Sequence, residues 1–148
     1  MKKIPFLIFF IVVLGTSAVF AQKKIVKTEE APLPVGPYSQ GVIANGFFFG
    51  AGQTGVDPKT RKLVEGGIEQ ETTQTLENIK AVLKAANLDL TNVVNATVYL
   101  KDMNDFAKMN AIYGKYFSTN PPARTTISIV SLPGGANVEI AVVAVLKK

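Results

Sequence analysis

The chain has 148 residues, enough for one ordinary domain. It contains neither His nor Cys, which excludes catalytic triads built on either residue, disulfides, iron–sulfur clusters and the usual zinc and non-haem iron sites. The formal net charge is +5, but the basic residues are scattered and form no stripe interleaved with aromatics, so nucleic acid is not an expected partner.

Lys2 and Lys3 precede an apolar stretch over residues 4–14, broken only by Pro5. Gly15, Thr16 and Ser17 follow, then Ala18, Val19, Phe20 and Ala21. This is the three-part layout of a secretory signal peptide over residues 1–21, with cleavage after Ala21. The expected location is periplasmic or secreted, with no membrane contact after cleavage. The alternative is an uncleaved membrane anchor, because residues 4–20 approach the lower limit of about 17 residues for a span.

Residues 22–148 read as one domain without repeats or linkers. A first strand is expected over residues 23–27. Residues 31–37 form an extended Pro-rich loop, since a residue before Pro avoids the helical region. Two strands, residues 38–44 and 47–52, flank Asn45-Gly46, a strong hairpin signal. Residues 56–61 form another turn. Ile68, Thr72, Leu76, Ile79, Leu83 and Ala86 recur at three- and four-residue steps and predict a helix over residues 68–86, closed by Asn87.

Residues 92–100 are β-rich. Asn104 is the expected cap of a second helix running to Phe117, with Phe106, Met109, Ile112, Tyr113, Tyr116 and Phe117 as its apolar positions. Strands over residues 124–130 and 138–146 follow, joined through Pro133, Gly134 and Gly135. The order β-β-β-α-β-α-β-β indicates an α+β domain with one sheet backed by two helices. Both faces of the last strand are apolar, yet two helices cover only one. A closed homo-oligomer is the simplest cover for the other.

Between Pro121 and Leu146 the only charged residues are Arg124 and Glu139, each near the start of an uncharged strand-like run. Such charges are rarely buried unless paired or functional, and they suggest a polar site at the end of an apolar sheet. Alternation places Arg124, Thr126 and Ser128 on one face, assigned to subunit contact, and Thr125, Ile127 and Ile129 on a core-like face. The planar guanidinium fork of Arg124 suits a carboxylate, although a salt bridge to Glu139 or to a neighbouring subunit is an equally plain use. Glu139 is the only carboxylate after Asp105. Partly desolvated, it could act as a general acid or base, or serve as an interface or surface residue. Tyr38 sits at a loop-to-strand corner, where it offers a hydroxyl or packs. Residues 50–53 read as a close backbone approach and lack the Lys of a phosphate-binding loop. No Asp/Glu cluster has the spacing of a carboxylate Mg²⁺ site, and no cofactor is expected.

Several blocks in order resemble the RidA/YjgF family, also described as endoribonuclease L-PSP-like. They are residues 36–41 (Gly-Pro-Tyr-Ser-Gln-Gly), 50–53 (Gly-Ala-Gly-Gln), 76–80, 99–106, 109–113, 122–124 (Pro-Ala-Arg) and 138–140 (Val-Glu-Ile). The resemblance implies a chorismate-mutase-like fold and a homotrimer with ligand clefts between subunits. It further implies hydrolysis of 2-imino acids or their enamine tautomers to 2-keto acids and ammonia. Arg124 matches the family's carboxylate-binding arginine and Glu139 the glutamate proposed to position or activate water. Tyr38 and Asn110 match cleft-lining positions. Ala51 stands where deaminating members usually have Ser, and Thr126 where many have Cys. A non-catalytic small-carboxylate binding or stress-protection module on the same trimer is the alternative.

Overall fold

The computed structural model describes residues 23–147, so the expected signal peptide lies outside the described residues. Strand β1 (Lys24–Val26) pairs antiparallel with β2 (Gly41–Ala44), which turns into β3 (Phe47–Gly50). The turn is Asn45-Gly46, with φ of 49° and 80°, the positive values that a two-residue hairpin loop requires. There follow β4 (Gln53–Thr54), α1 (Ile68–Ala85), β5 (Val93–Leu100), α2 (Phe106–Tyr116), β6 (Ala123–Ser128) and β7 (Val138–Val145). The strands form one sheet in the order β1-β2-β3-β7-β5-β6, with β4 also pairing β7. Only β5 and β6 are parallel, and α2 is their crossover. The α+β class, with two helices behind one sheet, is as expected. No helix among the described residues is long and apolar enough to cross a membrane.

The core lies between the helices and one sheet face. Val138, Ile140, Val142 and Ala144 of β7 are buried there with Ala96, Val98 and Leu100 of β5. Leu76, Ile79 and Leu83 cover them from α1, and Met109 and Tyr113 from α2. The opposite face carries Ile25, Val42, Phe49, Val143 and Asn95 in one register row, and Glu139, Tyr99 and Ile127 in another. No helix covers it, and Phe49 is 48% and Ile127 41% exposed.

Three local expectations are corrected. Residues 47–52 are not one strand: pairing breaks at Ala51 and Gly52, and Gln53–Thr54 forms a separate strand against β7, giving seven strands rather than six. Asn104 is not the helix cap. Asp102 accepts the Asn104 backbone N–H at 2.9 Å, capping a short 3₁₀ turn that leads into α2. Thr125 and Ile127 do not face the core. Their register with Thr97 and Tyr99 puts them on the open face, while Arg124 and Thr126 lie beside buried Ala96 and Val98.

Buried amides pin the loops to this frame. Gln40 is 2% exposed; its amide nitrogen donates to the carbonyls of Thr28 and Pro32, and its oxygen accepts the Thr28 N–H at 2.8 Å. Asn78 on α1 donates to the carbonyls of Thr54 and Val56. Losing such a side chain strands buried polar groups, at about 1–3 kcal/mol. Gln40→Ala should therefore lower the unfolding free energy by about that amount, seen as a reduced denaturant midpoint at constant slope. An unchanged midpoint would show that other contacts hold the loop.

Candidate active site

Arg124 enters from the second position of β6, the edge strand beside α2. Its Nη2 donates to Asn110 Oδ1 at 2.7 Å. The guanidinium carbon lies 4.5 Å from the centroid of the Tyr113 ring and 5.7 Å from that of Phe106. Cations over aromatic faces are attracted by the ring quadrupole. The Tyr113 ring is fixed in turn by Phe117, 4.6 Å away between centroids. Helix α2 thus presents Phe106, Asn110 and Tyr113 to one side chain at helical spacing. Burial pushes the Tyr113 phenol up to about 12, against a smaller opposing effect of Arg124, so it stays protonated. The hydroxyls of Tyr113 and Thr126 are buried without a partner among the described residues.

Glu139 is the second residue of β7, partly buried on the open face. Its register neighbours are Thr54 on β4 and Tyr99 on β5. Its carboxylate lies over Gly52, where an added Cβ would fall 2.0 Å from Oε1. That is the close approach anticipated for residues 50–53, and it explains why this position carries no side chain. Desolvation raises the Glu139 pKa above its ordinary 4.5.

Arg124, Asn110 and Thr126 are therefore together, but Glu139 is not with them. The expectation of one polar site at one sheet end fails for a single chain, for a topological reason. β7 is antiparallel to β5 and β5 parallel to β6, so the starts of β6 and β7 lie at opposite ends. Arg124 shares a row with Ala96 and Val142, Glu139 with Tyr99 and Ile127. Three residues along a strand amount to about 10 Å, and two strand spacings to about another 10 Å. The two side chains also leave opposite faces, and no ion pair joins them among the described residues. Assigning Arg124 to the open face was equally mistaken, since α2 covers it.

Tyr38 lies in the loop before β2, half-exposed, its hydroxyl 3.4 Å from the Val35 backbone nitrogen, which donates to it. Ala51 donates its N–H to the Gln40 carbonyl and borders a small cavity beneath Ile79 and Val82 of α1. A larger groove of about 660 Å³ lies elsewhere, along α1 near Glu77, Lys84 and Asp89, and none of the sequence-predicted site residues line it. Its charged walls are already paired, Lys84 with Glu30 and Asp89 with Lys147. Sequence reasoning missed Tyr113 as the ring beneath Arg124; its spacing of three residues from Asn110 was the available signal.

These features define a small α+β chain whose helix-covered face holds a clamped arginine and whose open face holds a lone carboxylate. The family model described as endoribonuclease L-PSP matches residues 28–146. The chain belongs to this family, the RidA/YjgF proteins. It is 51% identical over 122 residues to a RutC family protein of Pyrococcus horikoshii, covering 82% of this chain and 97% of that one. It is 46% identical over 123 residues to the 2-iminobutanoate/2-iminopropanoate deaminase of Bos taurus, covering 83% and 90%. The crystal structure of E. coli TdcF with bound serine matches with a TM-score of 0.80 at 34% identity, covering 84% of this chain and 99% of that one.

The raised pKa has a stability consequence. A carboxyl whose folded pKa exceeds its unfolded value makes the folded state bind more protons between the two. Folding stability should then fall as pH rises through that window, and Glu139→Gln should remove the dependence. Chemical denaturation at a series of pH values checks this; a wild type and variant with parallel profiles would refute it.

Proposed function

We propose that the protein hydrolyses 2-imino acids, or their enamine tautomers, to 2-keto acids and ammonia at a site shared between subunits of a homotrimer. The observation that carries this reading is the clamp on Arg124. One guanidinium edge is tied to Asn110 and one face rests on Tyr113, leaving donors for a substrate carboxylate in a fixed orientation. The naming of the bovine relative as an imine deaminase supports the same chemistry.

An imine carbon is already electrophilic, so water can add without a covalent nucleophile. Glu139 takes a proton from water as oxygen bonds to carbon and passes it to the imine nitrogen, giving a neutral carbinolamine. The carbinolamine then collapses: Glu139 takes the hydroxyl proton and delivers it to the nitrogen, the C–N bond breaks, ammonia leaves and the keto oxygen remains. Desolvation of Glu139 brings its basicity closer to that useful at neutral pH. Tyr38 and Asn110 border the substrate, and Thr126 supplies a hydroxyl where a thiol is common in relatives. Ala51 supplies no hydroxyl.

Placement on opposite faces and at opposite strand ends fits a site shared between subunits. Arg124 belongs to one subunit and Glu139 to the next, whose open face is covered on assembly. Phe47, Phe49 and Ile127, exposed in the single chain, are then buried. The signal-peptide-like layout of residues 1–21 supports a location outside the cytoplasm for this activity.

Generating 2-iminopropanoate in situ with an amino-acid oxidase gives the direct assay. The protein should speed its loss, and Arg124→Ala should abolish both acceleration and binding of the 2-keto acid product. Glu139→Gln should retain product binding while turnover falls by about 10²–10⁴-fold. Product binding without acceleration by the wild type would favour the non-catalytic binding module.

Co-assembling the two inactive variants tests the shared site. A subunit with intact Arg124 beside one with intact Glu139 forms a complete site, so random one-to-one mixing should recover about a quarter of wild-type activity. No recovery in verified mixed trimers would place both residues in the same subunit's site.

A further inference from the structure

Glu71 is a buried carboxylate that the proposed chemistry does not use. It lies in the first turn of α1, 2% exposed, and forms no ion pair among the described residues. Burying a carboxylate costs heavily unless its oxygens are bonded. Both Glu71 oxygens are spent on one residue: Oε2 accepts the Asn137 backbone N–H at 2.7 Å, and Oε1 accepts from the Asn137 side-chain amide. Asn137 immediately precedes β7 and stands two residues before Glu139. Its carbonyl accepts the Lys101 N–H at 3.0 Å, just beyond the last paired residues of β5 and β7.

Glu71 also reaches the other flank of Glu139. Gly55 follows Thr54, the register partner of Glu139, and packs so tightly on Glu71 that an added Cβ would lie 2.7 Å from the Glu71 Cα. One residue of α1 therefore holds the chain beside Glu139 on β7 and on β4. The approach to β7 turns through Gly134 and Gly135, which both adopt positive φ, 64° and 76°, a conformation that glycine takes at no steric cost.

We propose that Glu71 is a positioning residue for Glu139, fixing the entry of β7 against β4 so that the Glu139 carboxylate is held over Gly52. The proposal rests on the reading of Glu139 as the group that handles the proton of water. It separates from substrate binding, which belongs to Arg124 on another strand and the opposite sheet face.

The test compares Glu71→Ala, Glu71→Gln and Asn137→Ala in the full assembly with 2-iminopropanoate as substrate. Glu71→Ala should lower kcat by about 10- to 100-fold with little change in KM, the scale of a misplaced catalytic group. Glu71→Gln retains an acceptor for the Asn137 N–H and should restore most of kcat. Asn137→Ala keeps that backbone bond and loses the side-chain one, so its kcat should fall between the two, and it decides the matter if Glu71→Ala does not fold. A wild-type kcat in the folded Ala variants, or a fall in kcat matched by a rise in KM, overturns the proposal. Carboxyl ¹³C titration of Glu139 gives a readout independent of turnover. Its midpoint should move in Glu71→Ala or Asn137→Ala, and an unchanged midpoint overturns the proposal. A moved midpoint in a protein whose wild type shows no imine turnover would retain the positioning role and sink the deaminase reading.

Discussion

The structure depends on the two-sidedness of one central strand. β7 is bonded along one edge to β3 and β4 and along the other to β5. Its even-numbered residues meet the helices and its odd-numbered ones the open face. Alternation has a period of two, so a one-residue slip would exchange the two sets and put Glu139 into the core. The cost of burying that carboxylate unpaired is itself a guard on register. Core packing and the location of the candidate base are thus one constraint.

A second layer of organisation comes from the polar residues that α1 turns inward. Glu71 and Asn78 share the buried side of the helix with Ile68, Leu76 and Ile79. They bond to Asn137, Thr54 and Val56, segments that flank the catalytic candidate on β7 or its neighbour on β4. α2 makes the corresponding arrangement for Arg124 through Asn110 and Tyr113. Each helix therefore shields apolar surface and also fixes one charged side chain or its strand.

Much of this was legible in the sequence. The Asn45-Gly46 hairpin, the apolar stripe of α1 and its left-handed end at Asn87, with φ of 58°, follow from local rules about backbone freedom and spacing. So does the surplus apolar face of β7. Other features were hidden for physical reasons. Hydropathy counts Glu71 as a surface residue, because burial there is made tolerable only by Asn137, 66 positions away. Alternation along β6 divides its residues into two sets without saying which set meets a helix; parallel pairing with β5 decides that. The break at Gly52 reads as a continuing strand until the Glu139 carboxylate is seen above it. Isolated charges in a sequence locate candidates, but only topology tells whether they meet.

The separation of Arg124 and Glu139 onto opposite faces bears on what a lone chain is. On the proposed reading it carries two half-sites, each incapable of turnover, and its exposed aromatic face is the same surface that completes them. Activity then has a concentration threshold built into the fold, since dilution below the assembly constant dismantles the chemistry without unfolding the protein. Near that threshold the number of working sites would rise more steeply than the number of chains.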